Sequence, residues 1–125
     1  MIKLVYIVRA RDDIAPEEFH RYWLEVHGPM VREAAKALRA RKYIQSHTMA
    51  TPVNDALIES RGMAPSYEGI AEAWWESLDE LQAAVSEPEG ADAIKMIGED
   101  EAIFIDQSRS TMFVTEEHTI FDFAS

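Results

Sequence analysis

The 125 residues carry 23 acidic against 12 basic side chains, a formal net charge of −11, with 47% hydrophobic residues and no cysteine. That balance repels nucleic acid and anionic membrane surfaces, and the missing thiols exclude disulfides, thiolate zinc sites and cysteine nucleophiles. No apolar run reaches the roughly 18 residues of a membrane helix and no export signal opens the chain, so the expectation is one cytoplasmic domain over residues 1–125.

Residues 2–9 alternate Ile2, Leu4, Tyr6 and Val8 against Lys3, Val5, Ile7 and Arg9. Both sets are largely apolar, which suits a strand buried on two faces. A helix then opens at Pro16, with Glu17 and Glu18 in its first turn, although Ala15 is a weak cap. Phe19, Trp23, Val26, His27, Met30, Ala34 and Leu38 recur at helical spacing and put His27 on the inward stripe. Gly28 and Pro29 interrupt this pattern. Proline lacks the N–H that would bond the Glu25 carbonyl and its ring clashes there, so the helix is expected to kink or restart between Val26 and Met30.

A second strand over residues 41–49 sets Tyr43, Gln45 and His47 on one face. Residues 50–68 lack clear periodicity and read as a long connection, with one helical turn expected near 55–59. A third strand over residues 69–76 sets Ile70, Glu72 and Trp74 on one face and Ala71, Ala73 and Trp75 on the other. Capping boxes at 77–80 and 86–89 each announce a helix, and Gly98 is a natural stop. A short acidic passage at 99–101 leads into an apolar run, 102–106, too short to classify. The last strand covers 111–116, and the tail 118–125 still carries Ile120, Phe121 and Phe123.

This order predicts an α+β, ferredoxin-like βαββαβ protomer: a four-stranded antiparallel sheet with helices on one face and an extra short helix. Both faces of the sheet are apolar, so a second copy of the chain is expected to cover the open one.

The segment PEEFHRYWLEVHGPMV, followed by KYIQSHT, YEGIAEAWWES and DEAIFIDQSRS, resembles the EthD family of the dimeric α+β barrel superfamily. The most specific part is the FxxYWxxxHGP core followed by YxQxH. The resemblance implies a homodimer whose two sheets form a barrel. It also implies one of several chemistries, including dehydration, decarboxylation, lactone isomerisation, polyketide cyclisation and cofactor-free oxygenation, since one fold supports many activities. In enzymes of this kind a histidine late in the first helix is the usual catalytic candidate, and His27 matches it.

The candidate catalytic residues are therefore His27 and His47. An imidazole in an apolar setting is held neutral and can carry a proton between substrate atoms; the alternative for His27 is a core histidine satisfied by its neighbours. Tyr43, Gln45 and His47 could polarise a substrate oxygen or form a hydrogen-bonded surface at the dimer interface. Glu72 is a candidate partly buried carboxylate, or the partner of a cation. Tyr6, Trp23, Trp74 and Trp75 are candidate walls of an aromatic pocket, or plain core.

The histidines show no metal-binding spacing, and no phosphate loop or dinucleotide fingerprint is present, so no metal or organic cofactor is expected. The leading expectation is a cofactor-independent lyase or isomerase acting on a small hydrophobic oxygenated substrate. The alternatives are a non-catalytic small-ligand-binding or accessory protein, and a haem-binding protein with His27 or His47 as axial ligand.

Overall fold

The computed structural model describes residues 1–124; the last residue of the apolar tail, Ser125, lies outside the described residues. The strand apolar on both faces is β1 (Ile2–Val8), and it takes an interior position. It pairs antiparallel with β3 (Gly69–Trp75) on one side and β4 (Thr111–Glu116) on the other. β2 (Lys42–His47) pairs with the outer edge of β3, giving the order β2-β3-β1-β4 of a four-stranded antiparallel ferredoxin-like sheet.

The register decides which side chains meet. Tyr6 lies opposite Ala71 and Met112, while Ala71 and Ala73 face Gln45 and Tyr43. Tyr6, Tyr43, Gln45, His47 and Trp75 therefore share the face covered by helices. Lys3, Val5, Ile44, Ile70, Glu72, Trp74 and Phe113 share the open face.

The first helix is built in three pieces: α1 (Pro16–Tyr22), a π-helical turn (Trp23–His27) and α2 (Gly28–Leu38). The expected break at Gly28–Pro29 is thus a widened turn followed by a restart. The Gly28 N–H reaches back five residues to the Trp23 carbonyl. Proline cannot supply the next regular bond, and the wider turn relieves its clash with the preceding turn. Arg39, left-handed at φ 58°, closes α2, and the Trp75 indole donates to the Leu38 carbonyl at 2.7 Å.

Residues 50–68 differ from the sequence reading. They contain a full helix, α3 (Pro52–Arg61), capped by the Thr51 hydroxyl and ended by Gly62 at φ 58°. It buries no residue, so it leaves no apolar stripe in the sequence.

Two further helices cover the sheet, α4 (Leu78–Ser86) and α5 (Pro88–Phe104). The first capping box forms, with the Ser77 hydroxyl accepting from the Glu80 N–H. The second does not: Ser86 ends α4 and its hydroxyl donates to the Gln82 carbonyl. Gly98 does not stop α5 either, which runs through the acidic passage to Phe104. The packing of Ala93, Asp100 and Phe104 against the rest of the domain outweighs a single glycine's weak helix propensity.

Between sheet and helices lie two apolar clusters. One gathers Tyr6, Val8, Phe19, Trp23, Ala71, Phe104 and Ile105; the other gathers Ala34, Leu38, Trp75 and Ala93. No helix among the described residues is long and apolar enough to cross a membrane.

Candidate active site

The widened turn ends on His27, whose side chain is almost wholly buried. Its neighbour Val26, on the same predicted stripe, is 38% exposed, so the π turn selects which residue points inward. The His27 ring packs edge-on against Phe104, with centroids 5.1 Å apart. Burial pushes its pKa below the ordinary histidine value, an effect opposed by the Asp100 carboxylate.

Asp100 is the partner that orients His27. The His27 Nδ1–H donates to Asp100 Oδ2 at 2.7 Å, and the Tyr22 hydroxyl donates to Asp100 Oδ1 at 2.5 Å. A carboxylate only accepts, so Nδ1 carries the proton and Nε2 is left as the basic nitrogen. The bond to Asp100 also pushes the Tyr22 phenol up to about 12.

Nε2 faces Glu101, the next residue of α5, whose Oε2 lies 3.8 Å away. Burial raises the Glu101 carboxyl to about 7, while a hydrogen bond from Gln107 works in the other direction. Gln107 is held in turn by Tyr6, whose hydroxyl donates to Gln107 Oε1. The Tyr6 phenol is itself displaced upward, chiefly by burial.

Neither Asp100 nor Glu101 stands out in the sequence, where they form part of an acidic passage following a supposed helix stop. The signal that finds them is the stripe Ala93, Ile97, Asp100 and Phe104. It is helical in period only when α5 is continued through Gly98.

On the adjacent strand, β2 presents a connected set. Gln45 Nε2 donates to the Trp23 carbonyl at 2.8 Å and to the Tyr43 hydroxyl oxygen at 3.1 Å. The amide oxygen of Gln45 then accepts from His47 Nε2 at 2.8 Å. With its proton committed there, His47 Nδ1 accepts from His20 Nδ1 at 2.7 Å. Both nitrogens of His47 are therefore engaged, and its ring stacks on Trp23 at 4.3 Å. The structure does not bring His47 into contact with His27; it joins His47 to Tyr43 through Gln45.

His27, Glu101, Tyr6, Trp23 and Tyr43 line one cavity of about 200 Å³, where the two apolar clusters meet. A cavity of about 150 Å³ holds a benzene ring, so this one accommodates a substituted ring or a compound of similar bulk. The Tyr43 oxygen accepts from Gln45, which leaves the Tyr43 proton for a ligand.

The side chains of Glu72 and Trp74, both candidates from the sequence, stand on the open face, because strand alternation separates them from Ala71, Ala73 and Trp75, although Glu72 also borders the cavity. The Glu72 carboxylate pairs with Lys3 Nζ at 2.8 Å, and the Trp74 indole donates to Glu117 at 2.7 Å. The residues brought together are thus His27, Tyr6, Trp23 and Tyr43, with Gln45 behind them.

The sequence profile of the EthD domain matches residues 11–108. Among solved structures, an EthD family protein of Bacillus halodurans superposes with a TM-score of 0.64 at 22% identity, covering 94% of this chain and 99% of its own. A dimeric ferredoxin-like protein of Bacteroides fragilis gives 0.53 at 17% identity, covering 93% and 95%. SnoaB of Streptomyces nogalater, a cofactor-independent oxygenase, gives 0.56 at 12% identity, covering 97% of both chains. At these identities the likeness shows the fold alone. No curated protein matches the chain significantly.

Proposed function

The chain belongs to the EthD domain family, and from its site we propose a proton-transfer enzyme of the lyase or isomerase kind, acting on a small, hydrophobic, oxygenated molecule. The observation that carries this reading is the His27–Asp100 pair. The carboxylate fixes the tautomer, leaving a neutral imidazole with Nε2 turned to an apolar cavity, which is the state a general base requires. Asp100 also stabilises the imidazolium formed when His27 takes a proton. In this reading the Tyr43 hydroxyl donates to a substrate carbonyl and stabilises the enolate that results.

The test is hydron exchange. The protein is incubated in D2O with a panel of small neutral aromatic ketones and lactones, and loss of the proton next to the carbonyl is followed by NMR. Wild-type protein is expected to catalyse exchange into at least one of them, and His27→Ala to abolish it. Full activity in a folded His27→Ala variant would overturn the assignment.

The reading includes a homodimer, supported by the dimeric Bacteroides fragilis neighbour and by the open sheet face. There Ile44, Ile70 and Phe113 remain 37–45% exposed, a set of apolar side chains suited to a second copy. Sedimentation of the full chain distinguishes a dimer of twice the 14.2 kDa protomer from a monomer.

A further inference from the structure

We propose that Glu101 is the second catalytic residue, a carboxylic acid that delivers a proton to a leaving oxygen on the same side of the ligand from which His27 removes one. The inference rests on the proton-transfer reading of His27 and narrows it to one reaction class, syn elimination of water from a neutral β-hydroxy carbonyl compound.

Three observations carry it. First, Glu101 Oε2 and His27 Nε2 stand 3.8 Å apart on neighbouring elements, and both line the cavity. Two groups so close address one face of a bound molecule, where a hydrogen and a hydroxyl on adjacent carbons can both be reached.

Second, the surroundings of Glu101 favour its protonated form. His27 faces it from the widened turn, Tyr6 from β1, Tyr43 from β2 and Asp100 from its own helix. None of these is a fixed cation, and Asp100 is an anion that adds to the effect of burial. Gln107 contributes a single amide donor.

Third, none of the described residues lining the cavity is lysine or arginine. An anionic ligand would enter without a countercharge, at a large desolvation cost, so the site suits an uncharged one.

The step balances within these residues. His27 Nε2 takes the hydrogen next to the carbonyl, and the electrons of that C–H bond form the new C=C bond. The C–O bond breaks and its electron pair takes the Glu101 proton, releasing water and an α,β-unsaturated carbonyl compound. His27 is left protonated beside a carboxylate. Return of that proton from Nε2 to Glu101, directly or through the released water, restores both groups. The short separation therefore serves turnover as well as elimination. The Tyr43 hydroxyl holds the carbonyl oxygen throughout.

The test has two arms on the full chain. In the first, protein labelled with ¹³C at the glutamate carboxyls is titrated by NMR. One glutamate is expected to titrate near neutrality, with its signal absent from Glu101→Gln. If every glutamate titrates in the ordinary range, Glu101 holds no proton and the proposal fails. In the second arm, 4-hydroxy-4-phenylbutan-2-one and smaller β-hydroxy ketones are followed by the absorbance of the conjugated product.

Wild type is expected to eliminate water. Glu101→Gln should lose about 100-fold or more in rate, Glu101→Asp should recover part of it, and His27→Ala should lose turnover altogether. Full activity in Glu101→Gln with none in His27→Ala removes Glu101 and leaves the His27 reading standing. Full activity in His27→Ala removes both. Lack of turnover of every β-hydroxy ketone by wild type overturns the elimination.

Discussion

The side-chain amide of Gln45 donates to the main-chain carbonyl of Trp23 at 2.8 Å, the same carbonyl that accepts the Gly28 N–H across the widened turn. A strand side chain thus secures the helix irregularity that turns His27 inward. Gln45→Leu removes this tie and the contacts to Tyr43 and His47. Unfolding followed by circular dichroism is expected to show a loss of about 1–3 kcal/mol. Hydron exchange should fall as well, because His27 loses its fixed direction.

Asp100 accepts from both His27 and Tyr22, so Asp100→Ala leaves a buried imidazole without its orienting acceptor. A slowly exchanging, downfield ring N–H resonance is expected in wild-type spectra and should vanish in the variant. Exchange activity should drop by about 100-fold or more. Persistence of that resonance in Asp100→Ala would assign it elsewhere and break the dyad.

Glu101 and His27 have opposite effects on stability as pH changes. The folded-state carboxyl is raised from 4.5 to about 7, so its contribution is fully present below pH 4.5 and is lost as pH rises towards 7. The imidazole is lowered from 6.5, so its contribution is present above 6.5 and is lost as pH falls. Glu101→Gln removes only the first. Denaturant unfolding should therefore show the variant gaining on wild type between pH 5 and pH 8, by about 2.5 kcal/mol. A constant difference across that range would mean that Glu101 is not desolvated.

Gly69 marks a close approach of β3 to the pocket wall. A Cβ there would collide with the Ser46 carbonyl oxygen and lie 2.7 Å from the Trp23 ring, so backbone and indole would both have to move. Gly69→Ala is expected to destabilise the protein by about 1–3 kcal/mol and to shift Trp23 fluorescence. Gly98→Ala serves as the control: nothing lies within 4 Å of its added Cβ, and helix propensity improves by about 1 kcal/mol.

The strands are legible from alternation, or in β1 from apolar residues on both faces, and the inward stripe of the first helix from its helical period. The family resemblance was legible in the run from Phe19 to Pro29 and in the alternation from Tyr43 to His47. The partners of His27 were not. Gly98 and the charges around it disguised the last turns of α5, and it took the packing of Phe104 and Asp100 to show that the helix continues. The role of Glu72 is open in the sequence for a different reason: alternation assigns residues to faces but does not say which face the helices cover. The exposed helix α3 left no pattern, since a helix that buries nothing has no periodicity to read.

The π turn also affects how relatives are compared. Widening one turn by a residue shifts the phase of everything after it by about 100° around the helix axis. In a family member whose helix lacks the extra residue, a gapless alignment would pair His27 with a side chain pointing elsewhere and count the histidine as replaced. Such sequences need a one-residue gap between Trp23 and Gly28 before the presence of the histidine can be judged, because its register is structural.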